Sequence, residues 1–511
     1  MKKSASAWSL AGLVAGVAGL ATSYLVAMLM NMRLAPLPAV AELIRDLAPS
    51  SSVEWAKRTF GTADKPLLLG LILVILLVLF AVIGRFGRQG QPFVVAGYAG
   101  VAVVGIIATL HGVGTHFSDL VPIAVGFVTM VGSYALIADR LRRLEDIAPK
   151  QRFEERYVRS RRHFLVAVGA ISVVAAFSGF IGRFAGAPRR DVDQERRLSR
   201  LPFTQPIVPA ETSLGVVGSA AWMTRASDFY LIDTAFAKPI LKAVEWELRI
   251  HGMVEREVVL TYEQLLEFEH VEGWVTLNCV SNEVGGDLVG NAWWSGVLLK
   301  PILEMAGPLE GADAVLQTSS DGWSCGTPLA ALTDDRKAML ALYMNGEALP
   351  IDHGYPVRTV VPGLYGYVSA TKWVVDMEVS RFNDFDAFWT QQGWGELGPV
   401  KMASRIEVPR AATTLSDAQV TLAGTAWHQH IGIEGVEVAV DGGAWRPAEI
   451  AMTPSDDSWV QWRLVVELPD GDHTARVRAT NKLGEVQTGA RADVLPDGAT
   501  GWDEVRFTVS L

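Results

Sequence analysis

Cys279 stands in the middle of a run, Trp274–Gly296, whose residue types suit metal chemistry: WVTLNCVSNEVGGDLVGNAWWSG. A deprotonated thiol is a soft, strongly donating ligand for soft or high-valent metals. Gly285-Gly286 and Gly290-Asn291 read as turns that let backbone approach another group closely. The apolar residues Trp274, Val275 and Leu277 read as a short buried strand with Cys279 at its end. On its own, the cysteine reads more readily as a small buried hydrophobe. The chain has 2 cysteines, Cys279 and Cys325. Two cannot make a disulfide framework, though one pair stays arithmetically open.

The elements around this run alternate irregularly between strand and helix. Glu245–Ile250 followed by His251-Gly252 reads as strand and turn. Thr261–Glu267 opens like a capped helix, with Thr261 as N-cap and Gln264 at the capping-box position. Gly296–Gly307 reads as another helix, started or kinked at Pro301. The pattern is that of an α+β domain. From about residue 411 it changes to strand-like runs (QVTLAGTAW, VEVAV, WVQWRLVVEL, HTARVRAT, EVRFTVSL). Asp441-Gly442-Gly443 and Pro469-Asp470-Gly471 separate them as turns. This reads as an immunoglobulin-like β-sandwich.

The first 185 residues differ in kind. Five apolar runs, at 8–30, 66–84, 93–111, 120–138 and 164–182, are long enough to span a bilayer. The alternative of buried helices in a soluble protein fits charge-free runs of this length poorly. The first run is also open to reading as a cleaved signal peptide behind Lys2 and Lys3. Its length and the lack of a small-residue cleavage site favour an anchor. Residues 1–200 carry a net charge of +11 and residues 201–511 one of −21. The acidic body is a poor nucleic-acid binder. Lys2, Lys3, Arg85, Arg88 and the cluster Arg140, Arg142, Arg143, Lys150, Arg152, Arg156, Arg159, Arg161, Arg162 set the orientation. They predict a cytoplasmic N-terminus and an extracytoplasmic C-terminal body on a multi-pass bacterial membrane protein. The loop between the first two spans is the exception, with Arg45, Lys57, Arg58 and Lys65 offset by four acids. Ser160–Leu165 (SRRHFL) resembles a twin-arginine export signal, or is simply a topology cluster. His111, His116 and His163 lie near span ends, but no two share one span at helical spacing, so haem is not expected.

Three segments together resemble the sulfite-oxidase family of molybdenum enzymes. They are C-V-S-N-E-V-G-G-D-L-x-G-N-A-x-W from Cys279, Met344–Pro350 followed by Asp352–Arg358, and Val361–Gly366 followed by Ser369, Thr371, Lys372 and Trp373. They occur in the family's order and cover roughly 215–511. The resemblance implies a molybdenum–molybdopterin cofactor with Cys279 as the metal's protein thiolate. It implies that His353 and Arg358 bind the pterin and its phosphate, and that Ser369, Thr371 and Lys372 line the turn that cradles the phosphate. Arginine suits a phosphate because it is always charged and binds bidentately. Tyr230 and Asp233 match a lead-in segment that contacts the cofactor, and Asp321 is a further candidate. In isolation, His353 reads as a turn histidine and Arg358 and Lys372 as surface charges. The implied layout is a membrane region over 1–185, a linker over 186–224, a molybdopterin-binding catalytic domain over 225–410 and the sandwich over 411–511. In the family the sandwich usually mediates dimerisation.

Three departures bear on substrate. Leu231 and Trp293 stand where sulfite-oxidising relatives carry arginines, and Trp394 where they carry a tyrosine. Arginines there would grip an oxyanion. The expectation is a membrane-anchored molybdenum oxidoreductase that acts on a small molecule other than sulfite. It would exchange electrons with a quinone, a cytochrome or another carrier. The competing reading is a non-enzymatic cell-surface binding protein with a degenerate cofactor domain.

Overall fold

The structure is a computed structural model describing all residues but 1, 31, 33, 34, 61, 62, 112–116, 146–154, 185, 186 and 200. His116, Lys150 and Arg152 therefore lie outside the described residues. The chain forms two compact units, Met1–Asp191 with Ala235–Pro239, and Val192–Thr234 with Ile240–Leu511.

The first unit is helical: α1 (Lys2–Leu29), α2 (Pro36–Leu47), α3 (Ser50–Phe60), α4 (Asp64–Phe86), α5 (Gln91–His111), α6 (Val121–Glu145) and α7 (Glu155–Phe184). Five stretches are long and apolar enough to cross a membrane: Ala5–Leu29, Asp64–Phe86, Gln91–His111, Phe117–Glu145 and Arg161–Ser178. Small residues let the helices meet. A Cβ on Gly12 would lie 2.3 Å from Phe80 O, and one on Gly84 would lie 2.4 Å from Trp8 O. Tyr98 donates to Gly12 O at 2.8 Å and Tyr134 to Gly84 O at 3.2 Å, so these approaches also satisfy buried phenols. The loop expected between the first two spans is folded into α2 and α3. Pro36 stands in the first turn of α2, where its missing N–H costs nothing, and Ala39 and Ala41 face inward. His111 Nε2 lies 3.6 Å from Asp46 Oδ2, and His163 is exposed.

In the expected linker, α8 (Ala187–Leu198) forms instead. Its C-terminal end packs on the second unit, with Arg196 donating to Ala348 O at 3.0 Å. Buried Trp222 donates to Trp459 O at 3.0 Å. The linker residues after 191 are thus part of the second unit rather than a tether.

That unit begins with an α+β region. Its strands are β1 (Glu247–Gly252), β2 (Val258–Thr261), β3 (His270–Asn278), β4 (Val289–Leu298), β5 (Ala314–Ser319), β6 (Ser324–Pro328), β7 (Met339–Met344), β8 (Glu347–Ala348), β9 (Arg358–Val360) and β10 (Val374–Ser380). They make two sheets, β2-β1-β10-β5-β6 and β3-β4-β7-β8, with β9 paired to β7. The capping box forms at Thr261 and Gln264. The helix expected from Gly296 starts later, at Leu299, because β4 runs on to Leu298. Gly307 ends it in the left-handed conformation, φ 70°.

The C-terminal region is β-rich. One sheet orders Ala403–Val408, Gln419–Trp427, Val460–Glu467 and Glu449–Ile450; the other orders Thr414–Leu415, Asp503–Val509, Gly471–Asn481, Ile433–Val440 and Arg446–Pro447. Inward residues of both, among them Leu422, Trp462, Val438, Val477 and Phe507, share one core. The first of these strands starts upstream of the boundary expected at 411.

Candidate active site

Cys279 follows β3 directly and is buried. Its N–H donates to Leu288 O at 2.9 Å, and its carbonyl accepts from Asn282 N–H at 3.1 Å. The Asn282 side chain accepts from Leu288 N–H at 2.9 Å, so the loop closes on itself around the thiol. Cys279 and Cys325 form no disulfide.

Register decides what the thiol meets. β3 and β4 pair antiparallel, with Trp274 opposite Trp293 and Asn278 opposite Val289. Successive side chains point to opposite faces. Val275, Leu277, Ala292 and Trp294 therefore share one face, which Cys279 continues. Trp274, Thr276, Asn291 and Trp293 share the other. Trp293 packs on Trp274, ring centroids 5.1 Å apart, and its indole N–H is buried without a hydrogen-bond partner. The structure thus separates Trp293 from Cys279, and the neighbouring Trp294 occupies the thiol's face.

Around Trp294 the expected residues gather. The Arg358 guanidinium lies 5.0 Å from its ring centroid. Phe229 meets Trp294 edge-on at 5.8 Å, stacks on Tyr230 at 5.2 Å and touches His353 at 5.8 Å. His353 Nε2 is 2.9 Å from Ala226 O. A carbonyl only accepts, so Nε2 carries the proton. Burial pushes the Tyr230 phenol far up, with the Cys279 side chain adding to the rise and Arg358 opposing it. Burial likewise raises Tyr365 to about 12, again with Cys279 close enough to contribute. Thiol, both phenols and guanidinium thus form one electrostatic group.

Arg358 is the informative member. Burial lowers its pKa to about 10, and the side chain is 5% exposed. Its donors reach backbone carbonyls only: His353 O at 3.2 Å, Ala370 O at 3.4 Å and Thr359 O at 3.4 Å. No carboxylate pairs with it among the described residues. A buried cation without an anion is costly. A phosphate group supplies the missing charge in the geometry a guanidinium fork prefers. The residues present therefore fit a phosphate-bearing cofactor.

Lys372, expected beside the phosphate, pairs with Asp233 Oδ2 at 2.6 Å and donates to Asp352 O at 3.3 Å. The structure brings these two expected residues together as a buried ion pair. Ser369 donates to Tyr365 O at 2.8 Å, and Thr371 N–H to Thr359 Oγ1 at 2.8 Å. Asp321 sits in the β5–β6 turn and accepts Trp323 N–H at 3.2 Å, a turn-forming role. Leu231 is 40% exposed. Trp394 lies 5.9 Å from Tyr367 and lines an open cleft of about 640 Å³ with Glu396, Lys401 and Asp497. Tyr365 borders both regions, because its N–H donates to Gly398 O at 2.8 Å in the cleft wall. Phe229, Trp294 and Tyr365 lie in segments the sequence reading quotes, but it gives none of them a role in the site. Phe229 and Trp294 adjoin the candidates Tyr230 and Trp293, from which only side-chain direction separates them.

Residues 235–389 match a family described as "Oxidoreductase molybdopterin binding domain". The uncharacterized oxidoreductase YuiH of Bacillus subtilis is 32% identical over 150 residues, 29% of this chain and 72% of that protein. The mitochondrial sulfite oxidase of Rattus norvegicus is 29% identical over 257 residues, covering 41% of this chain and 46% of the relative. A nitrate reductase [NADPH] of Leptosphaeria maculans is 32% identical over 216 residues, covering 38% of this chain and 24% of the relative. The chain thus spans about half the length of the sulfite oxidase it matches. Among solved structures, the sulfane dehydrogenase SoxCD of Paracoccus pantotrophus is 24% identical, with TM-score 0.47, covering 52% of this chain and 74% of that one.

Proposed function

Because this chain belongs to the sulfite-oxidase family of molybdopterin-dependent oxidoreductases, we propose that Cys279 is the protein ligand of its molybdenum and that the enzyme works outside the cytoplasm. The chain is an oxidoreductase, and its cofactor is molybdenum held by a molybdopterin. When bound, that group supplies two-electron chemistry on a small substrate. The observation that carries the site assignment is the anion-free guanidinium of Arg358, buried in one electrostatic group with Cys279 and Tyr230. Arg358 and the Ser369–Lys372 turn hold the phosphate, His353 lines the pterin region, and Tyr230 and Asp233 flank it. Asp321 is an outer contact. Metal and pterin analysis of the purified full chain tests the reading. Molybdenum and phosphate-bearing pterin should be stoichiometric with protein, and a preparation that is active without either overturns it.

The substrate is a neutral molecule, such as a sulfoxide, reduced by two electrons and two protons to a thioether and water. Leu231 and Trp394 carry no charge to hold a dianion, and Trp293 faces away from the thiol. The cleft beside Trp394 carries two carboxylates against one lysine, which also disfavours an anion. Losing an oxyanion donor typically costs about 10²–10³ in rate. Sulfite should therefore be turned over at least about 10²-fold less efficiently than a neutral sulfoxide. Comparable kcat/KM for the two sinks the idea. Electrons are exchanged with a quinone, a cytochrome or another carrier. The C-terminal region is an immunoglobulin-like sandwich that pairs two copies of the chain.

The five apolar helices fit a membrane protein. We further propose that its N-terminus is cytoplasmic and that Arg161-Arg162, exposed at the start of the last apolar stretch, form an export signal for a body already loaded with cofactor. Arg161→Lys with Arg162→Lys keeps the positive charge but removes the paired guanidiniums. The C-terminal body should then stay protected from protease added outside the cell. Export as in the wild type reduces the two arginines to topology charges.

A further inference from the structure

The expected phosphate turn is backed by a chain of buried polar groups, of which only Thr371 belongs to the site assignments. Gln317 in β5 stands opposite Cys325 in β6. Thr327 follows two residues on, so all three side chains share one face of this hairpin. Gln317, Cys325, Thr327, Thr359 and Thr371 are all 0% exposed. Gln317 Nε2 lies 2.7 Å from Thr327 Oγ1, and Thr327 Oγ1 donates to Val368 O. On its other side, Thr359 Oγ1 donates to Gln317 Oε1 at 2.9 Å and accepts Thr371 N–H at 2.8 Å. Cys325 Sγ approaches Thr371 Oγ1 at 3.2 Å.

The chemistry allows one orientation of this relay. Val368 C=O only accepts, so the single hydroxyl proton of Thr327 points to it. Thr327 must then accept from an N–H, which only the amide nitrogen of Gln317 supplies. Thr371 N–H only donates, so the Thr359 hydroxyl turns its proton to Gln317 Oε1. One amide thus fixes two hydroxyls, and these hold the carbonyl before Ser369 and the N–H of Thr371. Both ends of the tripeptide Ser369–Thr371 are clamped from below. Thr359 N–H adds a bond to Thr371 O at 3.0 Å. Arg358 reaches Ala370 O from the same strand. A buried network of this kind rigidifies what it holds.

We propose that Gln317 is a positioning residue for the cofactor: acting through Thr327 and Thr359, it presets the turn that receives the phosphate. This rests on the reading that the phosphate lies at Ser369, Thr371 and Lys372. Outer partners of a metal-cofactor site typically matter by about 10- to 100-fold in retention. The test uses the full-length purified protein in three variants: Gln317→Leu, Thr359→Val and Thr359→Ser. Thr359→Val keeps the shape and loses the hydroxyl, whereas Thr359→Ser keeps the hydroxyl. Two quantities are read, hydrogen exchange at Ser369–Thr371 and the rate of pterin release in mild denaturant. Gln317→Leu and Thr359→Val should exchange faster there and release pterin at least about tenfold faster, with Thr359→Ser close to wild type. Should Gln317→Leu fail to fold, the Val and Ser pair still decides. Equal exchange in that pair overturns the relay itself. Faster exchange with wild-type pterin release overturns the phosphate reading on which the positioning role depends.

Discussion

Cys279→Ser is expected to keep the fold and the bound pterin while turnover falls by more than about 100-fold, since even partners one shell further out are worth about 10- to 100-fold. If Cys279 is the ligand, a serine oxygen would donate less charge than a thiolate and would shift the metal's redox poise. The fold should survive because backbone bonds and the Asn282 side chain close the loop. The measurement is steady-state turnover beside pterin content and thermal unfolding of the same preparation. Full activity in the variant ends the assignment of Cys279 as ligand. Cys325→Ser is the matched control. Burial raises the Cys325 thiol to about 11, so it stays protonated, and a serine hydroxyl would find Thr371 Oγ1 where the sulfur is now. Little change is expected there.

Arg358→Met should empty the site while leaving the cofactor-free protein about as stable as before. Removing one partner of a buried charge pair costs about 2–5 kcal/mol, or roughly 30- to 4,000-fold in affinity. Without cofactor the balance is different. The guanidinium is then desolvated with only carbonyl oxygens around it, and an apolar side chain of similar length avoids that cost. Pterin content and the unfolding midpoint of the cofactor-free chain should therefore part company. A variant that loses both together would mean that Arg358 is structural. Arg358→Lys should fall between, because an ammonium keeps the charge but not the fork.

The local chemistry of this protein was legible in its sequence. A cysteine at the end of an apolar strand, the arginine and lysine of two nearby segments, the five apolar runs and the Thr261 cap are properties of neighbours in the chain, and neighbours can be read in order. The charge-based reading of the loop between the first two spans missed α2 and α3, because a short amphipathic helix is stabilised by what its narrow apolar face meets. The linker reading missed α8 for the same reason. The site shows the limit more sharply. Trp293 and Trp294 are adjacent, and the β3–β4 register alone sends one to Trp274 and the other to Arg358. Lys372 and Asp233 are 139 residues apart and meet as a buried pair. Gln317, Thr327 and Thr359 carry no motif at all, since an amide and two hydroxyls become informative only when burial leaves each with one partner to choose. Residue type and spacing determined which chemistry the chain can perform. Strand register and burial, which depend on segments far apart in sequence, decided which side chains face it.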